Sequence, residues 1–138
     1  MSAEQRVIDP VIGELMAWEA SLAWFGFEIL EAHGGAATVV LAARDEQVNG
    51  ANAVHGGVVF ALADQAFAAA ALTVLGAAVT SDAAIQYVGP SGGGSVLVAQ
   101  ARTSYHDERR AVIDVDVVAD GRTVAIYRGT ARALRKSP

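Results

Sequence analysis

Hydrophobic positions along the chain change period three times, and each change predicts a new kind of element. From Val11 to Trp24 the apolar residues recur at helical spacing behind Asp9-Pro10, a capping Asp followed by Pro at a first helical position. One short helix over about residues 10–24, stopped by Gly26, is predicted. Phe27 to Ala32 and Ala36 to Ala43 are β-type runs on either side of His33-Gly34-Gly35, so they read as a hairpin. Arg44 to Val54 is polar and irregular and reads as a loop. Gly57 to Leu75 holds no Pro, is rich in Ala and Leu, and is apolar nearly all round, which predicts a buried helix of about five turns ending at Gly76. Four further runs follow, Ala77 to Val88, Ser95 to Tyr105, Ala111 to Ala119 and Thr123 to Leu134. Their Val, Ile, Tyr and Thr partly alternate with polar residues, and the gaps between them hold turn residues such as Gly89 to Gly94 and Asp120-Gly121.

Two strands, one long buried helix and four more strands do not make a doubly wound fold, because turns rather than crossover helices join the strands. The pattern predicts an α+β fold in which a curved antiparallel sheet wraps one long central helix. No internal repeat or dividing linker interrupts the chain, so residues 1–138 read as a single domain with its core over about 25–135.

Composition narrows the chemistry. Apolar residues make up 53% of the chain and charged residues 18%, which suits a well-filled globular core. There is no cysteine, and His33, His55 and His106 fit no metal-ligand spacing, so neither a thiolate nucleophile nor a metal centre is expected. The N-terminus MSAEQRVIDP lacks the basic start and apolar run of a leader, and the uncharged run from Ala66 to Val79 is shorter than the about 20 residues of a membrane span. A soluble cytoplasmic protein is expected. The net charge of −5 argues against nucleic acid or an anionic membrane as partner. Its distribution is uneven, with ten acids against Arg6 and Arg44 up to residue 99, and eight bases against five acids from residue 100 on. An anionic ligand would therefore meet the C-terminal third, although Arg102, Arg109, Arg110, Arg122, Arg128, Arg132, Arg135 and Lys136 taken singly read as solvated strand-face charges.

One constellation carries chemistry. Asp64 lies in the middle of the buried helix, and its neighbours three and four positions away, Phe60, Ala61, Phe67 and Ala68, give it no partner. An unpaired buried carboxyl is expected to have a raised pKa, which is the property of a general base. His55-Gly56-Gly57 precedes the helix, where backbone N–H groups lack intrahelical partners and the helix dipole favours a developing negative charge. The first of these groups would polarise a carbonyl. Within one helix, eight residues separate Gly56 from Asp64 by about 12 Å at 1.5 Å per residue, whereas reacting atoms must approach to about 3–3.5 Å. A second subunit resolves the mismatch: two such helices, antiparallel about a two-fold axis, would bring Asp64 of each to the N-terminus of the other.

Asn49-Gly50, then His55-Gly56-Gly57, Phe60 and Leu62-Ala63-Asp64, resembles the hotdog thioesterases of the phenylacetic acid degradation PaaI type. The likeness continues through Gln86-Tyr87-Val88-Gly89-Pro90 and Arg128-Gly129-Thr130-Ala131. The resemblance implies the hotdog fold, a homodimer pairing further into a homotetramer, and hydrolysis of an acyl-coenzyme A thioester, aryl-acetyl or a related aromatic acyl, with no metal or bound cofactor. It assigns Asp64 as general base or nucleophile, Gly56 as carbonyl-polarising N–H, and Asn49 as a group beside the same carbonyl or the water. His55 is an orienting residue, and Thr80 or Ser81 a hydroxyl near the acid. Gly57 and Phe60 would face substrate, Trp18, Trp24, Phe25 and Phe27 are further candidates for an aromatic pocket, and Arg109, Arg110 and Arg128 are candidates for the coenzyme A phosphates, with Arg102, Arg132 and the Gly92-Gly93-Gly94 loop. Competing readings are a hotdog enoyl-coenzyme A hydratase, a non-catalytic acyl-coenzyme A-binding hotdog protein and a purely structural helix-mediated dimer.

Overall fold

A computed structural model describes residues 6–134. Its elements, in chain order, are α1 (Pro10–Leu15), α2 (Ala20–Phe25), β1 (Phe27–His33), β2 (Ala36–Ala42), a single 3₁₀ turn (Asp45–Gln47), α3 (Gly56–Leu75), β3 (Ala78–Tyr87), β4 (Val96–His106), β5 (Arg110–Ala119) and β6 (Arg122–Ala133). The six strands form one antiparallel sheet in the order β1-β2-β4-β5-β6-β3, and α3 lies chiefly across β2, β4 and β5. This is the α+β hotdog arrangement. Two of the hairpins turn on paired left-handed residues: Gly34 and Gly35 (φ 57° and 85°) join β1 to β2, and Asp120 and Gly121 (φ 52° and 75°) join β5 to β6. Both match the mirror-image turns whose twist suits a hairpin.

Alternation decides what each strand buries. Odd residues of β5, including Ile113, Val115 and Val117, are wholly buried against α3, while Arg110, Val112 and Asp114 look outward. Val39 and Leu41 on β2 and Leu97 and Ala99 on β4 complete the same surface. α3 answers with Val59, Leu62, Ala63, Ala66, Phe67 and Ala70, and the run of alanines lets helix and sheet approach closely. α3 is long and apolar enough to cross a membrane, with a mean hydropathy of 1.9, but here the sheet of the same chain wraps it.

The N-terminal region departs from expectation. Instead of one helix over residues 10–24 there are two, separated by a turn at residues 16–19. Ile12 and Met16 are buried on one face, and Leu22 is buried as well. In an unbroken helix six residues advance by about 600°, leaving Leu22 about 120° away from Met16. Breaking the helix lets both reach the core. Asp9 does cap α1, its side chain accepting from Val11 N at 2.9 Å, and Gly26 ends α2 in the left-handed conformation.

Candidate active site

α3 begins one residue earlier than expected, at Gly56, with His55 as its cap. The His55 ring is committed: Nδ1 accepts from Gly57 N at 2.9 Å, which satisfies the second free N–H of the helix and leaves the imidazole proton on Nε2. The Gly56 N–H makes no hydrogen bond among the described residues. Its carbonyl accepts from the Tyr87 hydroxyl at 2.8 Å, and the Tyr87 ring packs over the glycine, which ties the end of β3 to the start of α3. A free N–H at a helix start, flanked by an aromatic ring, is positioned to donate to a carbonyl oxygen.

The loop before α3 is a folded unit. Val48 bridges Val54, His55 N donates to the Gln47 carbonyl at 2.8 Å, and Gln47 and Arg44 reach back to carbonyls of α2. Asn49 forms the turn in it, its Oδ1 accepting from Ala51 N at 2.9 Å and Ala53 N at 3.1 Å. That fixes the amide orientation and leaves Nδ2 as the outward-facing donor. The glycine loop at 92–94 packs against this unit: a Cβ at Gly93 would lie 2.9 Å from Asn52 Oδ1.

Asp64 differs from expectation. It is half-buried, and it is paired: the Tyr127 hydroxyl donates to Oδ1 at 2.7 Å. Tyr127 comes from β6 and is wholly buried between Phe60 and Phe67. Helix-face neighbours gave no hint of it, since a sheet strand supplies the partner. Burial first, then the bond to Asp64, pushes the Tyr127 phenol well above its ordinary range, so it is a donor at any working pH. Phe60, Ala61, Asp64, Gln65 and Ala68 form a half-exposed stripe along α3 that the sheet of this chain leaves open.

Thr80 and Ser81 part company at a β-bulge. Thr80 pairs with Ala131 and Asp82 with Thr130, so Ser81 is the extra residue. Thr80 lines a cleft of about 200 Å³ together with Leu15, Phe67, Ala68, Leu72 and Val79, beginning one helical turn beyond Asp64. The Ser81 hydroxyl instead donates to the Thr130 carbonyl at 3.1 Å. Of the aromatic candidates, only Phe60 lies beside Asp64. Phe27 is core and stacks on Phe25 at 4.7 Å, while Trp18 and Trp24 are 79% and 74% exposed.

The arginines are not gathered at Asp64. Arg128 pairs with Asp114 through two bonds of 2.6 and 3.0 Å on the outer face of the sheet, opposite to the inward Tyr127. That pairing holds the Asp114 carboxyl below its usual range. Arg102 pairs with Asp116 at 3.0 Å. Arg109, Arg110 and Arg132 make no ion pair among the described residues, and they cluster where β5 and β6 meet the first residues of β3, at the C-terminal end of α3. Arg135 and Lys136 lie outside the described residues.

Residues 51–126 match the model of the thioesterase superfamily. Over 110 residues the chain is 33% identical to the acyl-coenzyme A thioesterase PaaI of Escherichia coli, covering 79% of each protein. The solved structure of that PaaI protein superposes with a TM-score of 0.86 at 29% identity, over 91% of both chains. A mutant of the phenylacetic acid degradation protein PaaI from Thermus thermophilus superposes with a TM-score of 0.81 at 33% identity, over 84% of this chain and 100% of the other.

Proposed function

The chain belongs to the thioesterase superfamily, among its PaaI-type members, and is a thioester hydrolase; we propose that it cleaves an aromatic acyl-coenzyme A at a site shared by two subunits. The observation that carries this reading is the pairing of an unbonded N–H at Gly56 with a carboxylate eight residues further along the same helix. Gly56 of one subunit donates to the thioester oxygen. Asp64 of the other, acting as base, takes a proton from water while the hydroxide adds to the carbonyl carbon. The negative charge then rests on the oxygen held by Gly56 N–H, where one such donor is worth about 2.7–4 kcal/mol. Collapse breaks the C–S bond, and the thiolate leaves with the proton. Asp64 as nucleophile would place its own oxygen on that carbon first. Asn49 Nδ2 is a second donor beside the carbonyl, and His55 acts by fixing the helix start. In this reading the Gly56 backbone N–H and the Asp64 and Asn49 side chains supply the chemistry without a metal or bound cofactor.

Two features support a shared site. β3 is an edge strand whose residues are mostly exposed, with Asp82 as its single charge and no proline to blunt it. The open stripe of α3 is apolar apart from Asp64 and Gln65. An antiparallel partner helix would also bring its Gly56 toward the end of this chain where Arg109, Arg110 and Arg132 stand, so the anionic end of coenzyme A would meet cations there. The acyl group would run along α3 into the cleft at Phe67, Ala68 and Thr80. We propose a cytoplasmic homodimer that pairs further into a tetramer.

The test is thiol release from a panel of aryl-acetyl, benzoyl, short-chain and long-chain acyl-coenzyme A thioesters. Aromatic acyl thioesters are expected to give the highest kcat/KM. Release confined to short aliphatic thioesters would refute the acyl assignment, and saturable binding with no release from any thioester would refute hydrolysis.

A further inference from the structure

A phenol at the centre of an apolar cluster needs a reason, because a phenylalanine would fill the same space and an unsatisfied buried hydroxyl costs about 1–3 kcal/mol. At Tyr127 the reason is the 2.7 Å bond to Asp64 Oδ1. The ring is held independently of that bond. Phe60 and Phe67, one turn before and one turn after Asp64 on α3, flank it with centroids 5.5 Å away and interplanar angles of 65° and 55°. Gly129, two residues along β6, leaves room for Phe67, since a Cβ there would lie 2.8 Å from its Cε2. Packing thus sets where the hydroxyl sits, and the hydroxyl sets where the carboxylate sits.

We propose that Tyr127 is a positioning residue for hydrolysis, engaging Asp64 Oδ1 so that Oδ2 is the oxygen presented to the thioester. This rests on Asp64 being the reacting carboxylate. The bond has one fixed polarity, because a phenol that stays protonated can only donate to the carboxylate. Tyr127 therefore fixes the rotamer of the Asp64 carboxylate.

Tyr127→Phe in the full chain removes one oxygen and keeps the ring. With a thioester that the wild type hydrolyses, kcat is expected to fall by about 10–100-fold while KM changes by less than about twofold, as for a misplaced catalytic group. Adding Tyr127→Phe to Asp64→Ala should lower the residual activity no further. Unchanged kcat, or losses that multiply in the double variant, would overturn the proposal while leaving the thioesterase assignment intact. A wild type that releases no thiol overturns both. If Tyr127→Phe does not fold, proton NMR of the wild type and Asp64→Ala decides: the bonded Tyr127 hydroxyl proton should exchange slowly with solvent in the wild type and fast in the variant, and equally fast exchange in both would overturn the contact itself.

Discussion

Gly56 is not glycine for want of space. A Cβ there would meet the Tyr87 ring at 3.4–3.5 Å, an ordinary contact, and the residue does not take the left-handed backbone. Its function lies in its N–H, which makes a discriminating pair of variants available. Gly56→Ala keeps the donor and should retain nearly full activity. Gly56→Pro removes it at a first helical position, where proline is welcome, and the preceding His55 at ψ 135° is compatible with it. Steady-state kinetics of Gly56→Pro should show kcat down by about 10²–10³-fold with the melting temperature held; full activity would remove the oxyanion role. Asp64→Ala should lose about 10²–10⁴-fold in the same assay. Gly56 and Asp64 were legible in the sequence because they lie on one helix, where spacing converts directly to distance. Tyr127 was not, because 63 positions separate it from Asp64 and only strand register across the finished sheet brings the two together. The expectation of an unpaired carboxyl failed for the same reason.

At the scale of elements, β6 and α3 depend on each other through Gly129. Phe67 is 1% exposed and its ring edge would lie 2.8 Å from a Cβ at residue 129, so Gly129→Ala should destabilise the fold by about 1–3 kcal/mol through overpacking. Chemical denaturation measures it, and an unchanged midpoint would mean that β6 shifts, or Phe67 turns into the cleft it lines, to accommodate the methyl. On the outer face Asp114 stands between Arg102 and Arg128 in the strand register and bonds Arg128. Its lowered pKa sets the sign: the stabilisation is present above the ordinary carboxylate pKa of about 3.9 and disappears as pH falls through the lowered value. Since Arg128 is 64% exposed, screening limits the effect, and Asp114→Asn should lose no more than about 1 kcal/mol at pH 7. Denaturation at a pH below that lowered value should bring the variant and the wild type together. Period and turn residues located β3 to β6 to within one residue, because β4, β5 and β6 each carry a buried face that alternates with a more open one, while β3 is bounded by Gly76 and the Gly89-Pro90 turn. The N-terminal helix was misjudged as continuous because helical spacing alone does not say which residues must share a face. Ile12, Met16 and Leu22 share the core only after the break.

At the scale of the molecule, an open stripe on the central helix, a bare edge strand and a site whose two halves stand about 12 Å apart on one helix all ask for a second copy. The sequence already contained the spacing, but not the partner residue or which arginines stand free of ion pairs, since both depend on strand pairing. Complementation tests the shared site most directly. Gly56→Pro and Asp64→Ala, each nearly inactive alone, are co-expressed, and mixed dimers are allowed to form. In a mixed dimer one site carries both lesions and the other carries none, so random pairing should restore about a quarter of wild-type activity. Activity no greater than the sum of the two inactive variants, in a preparation shown to contain mixed dimers, would contradict a site built from two subunits.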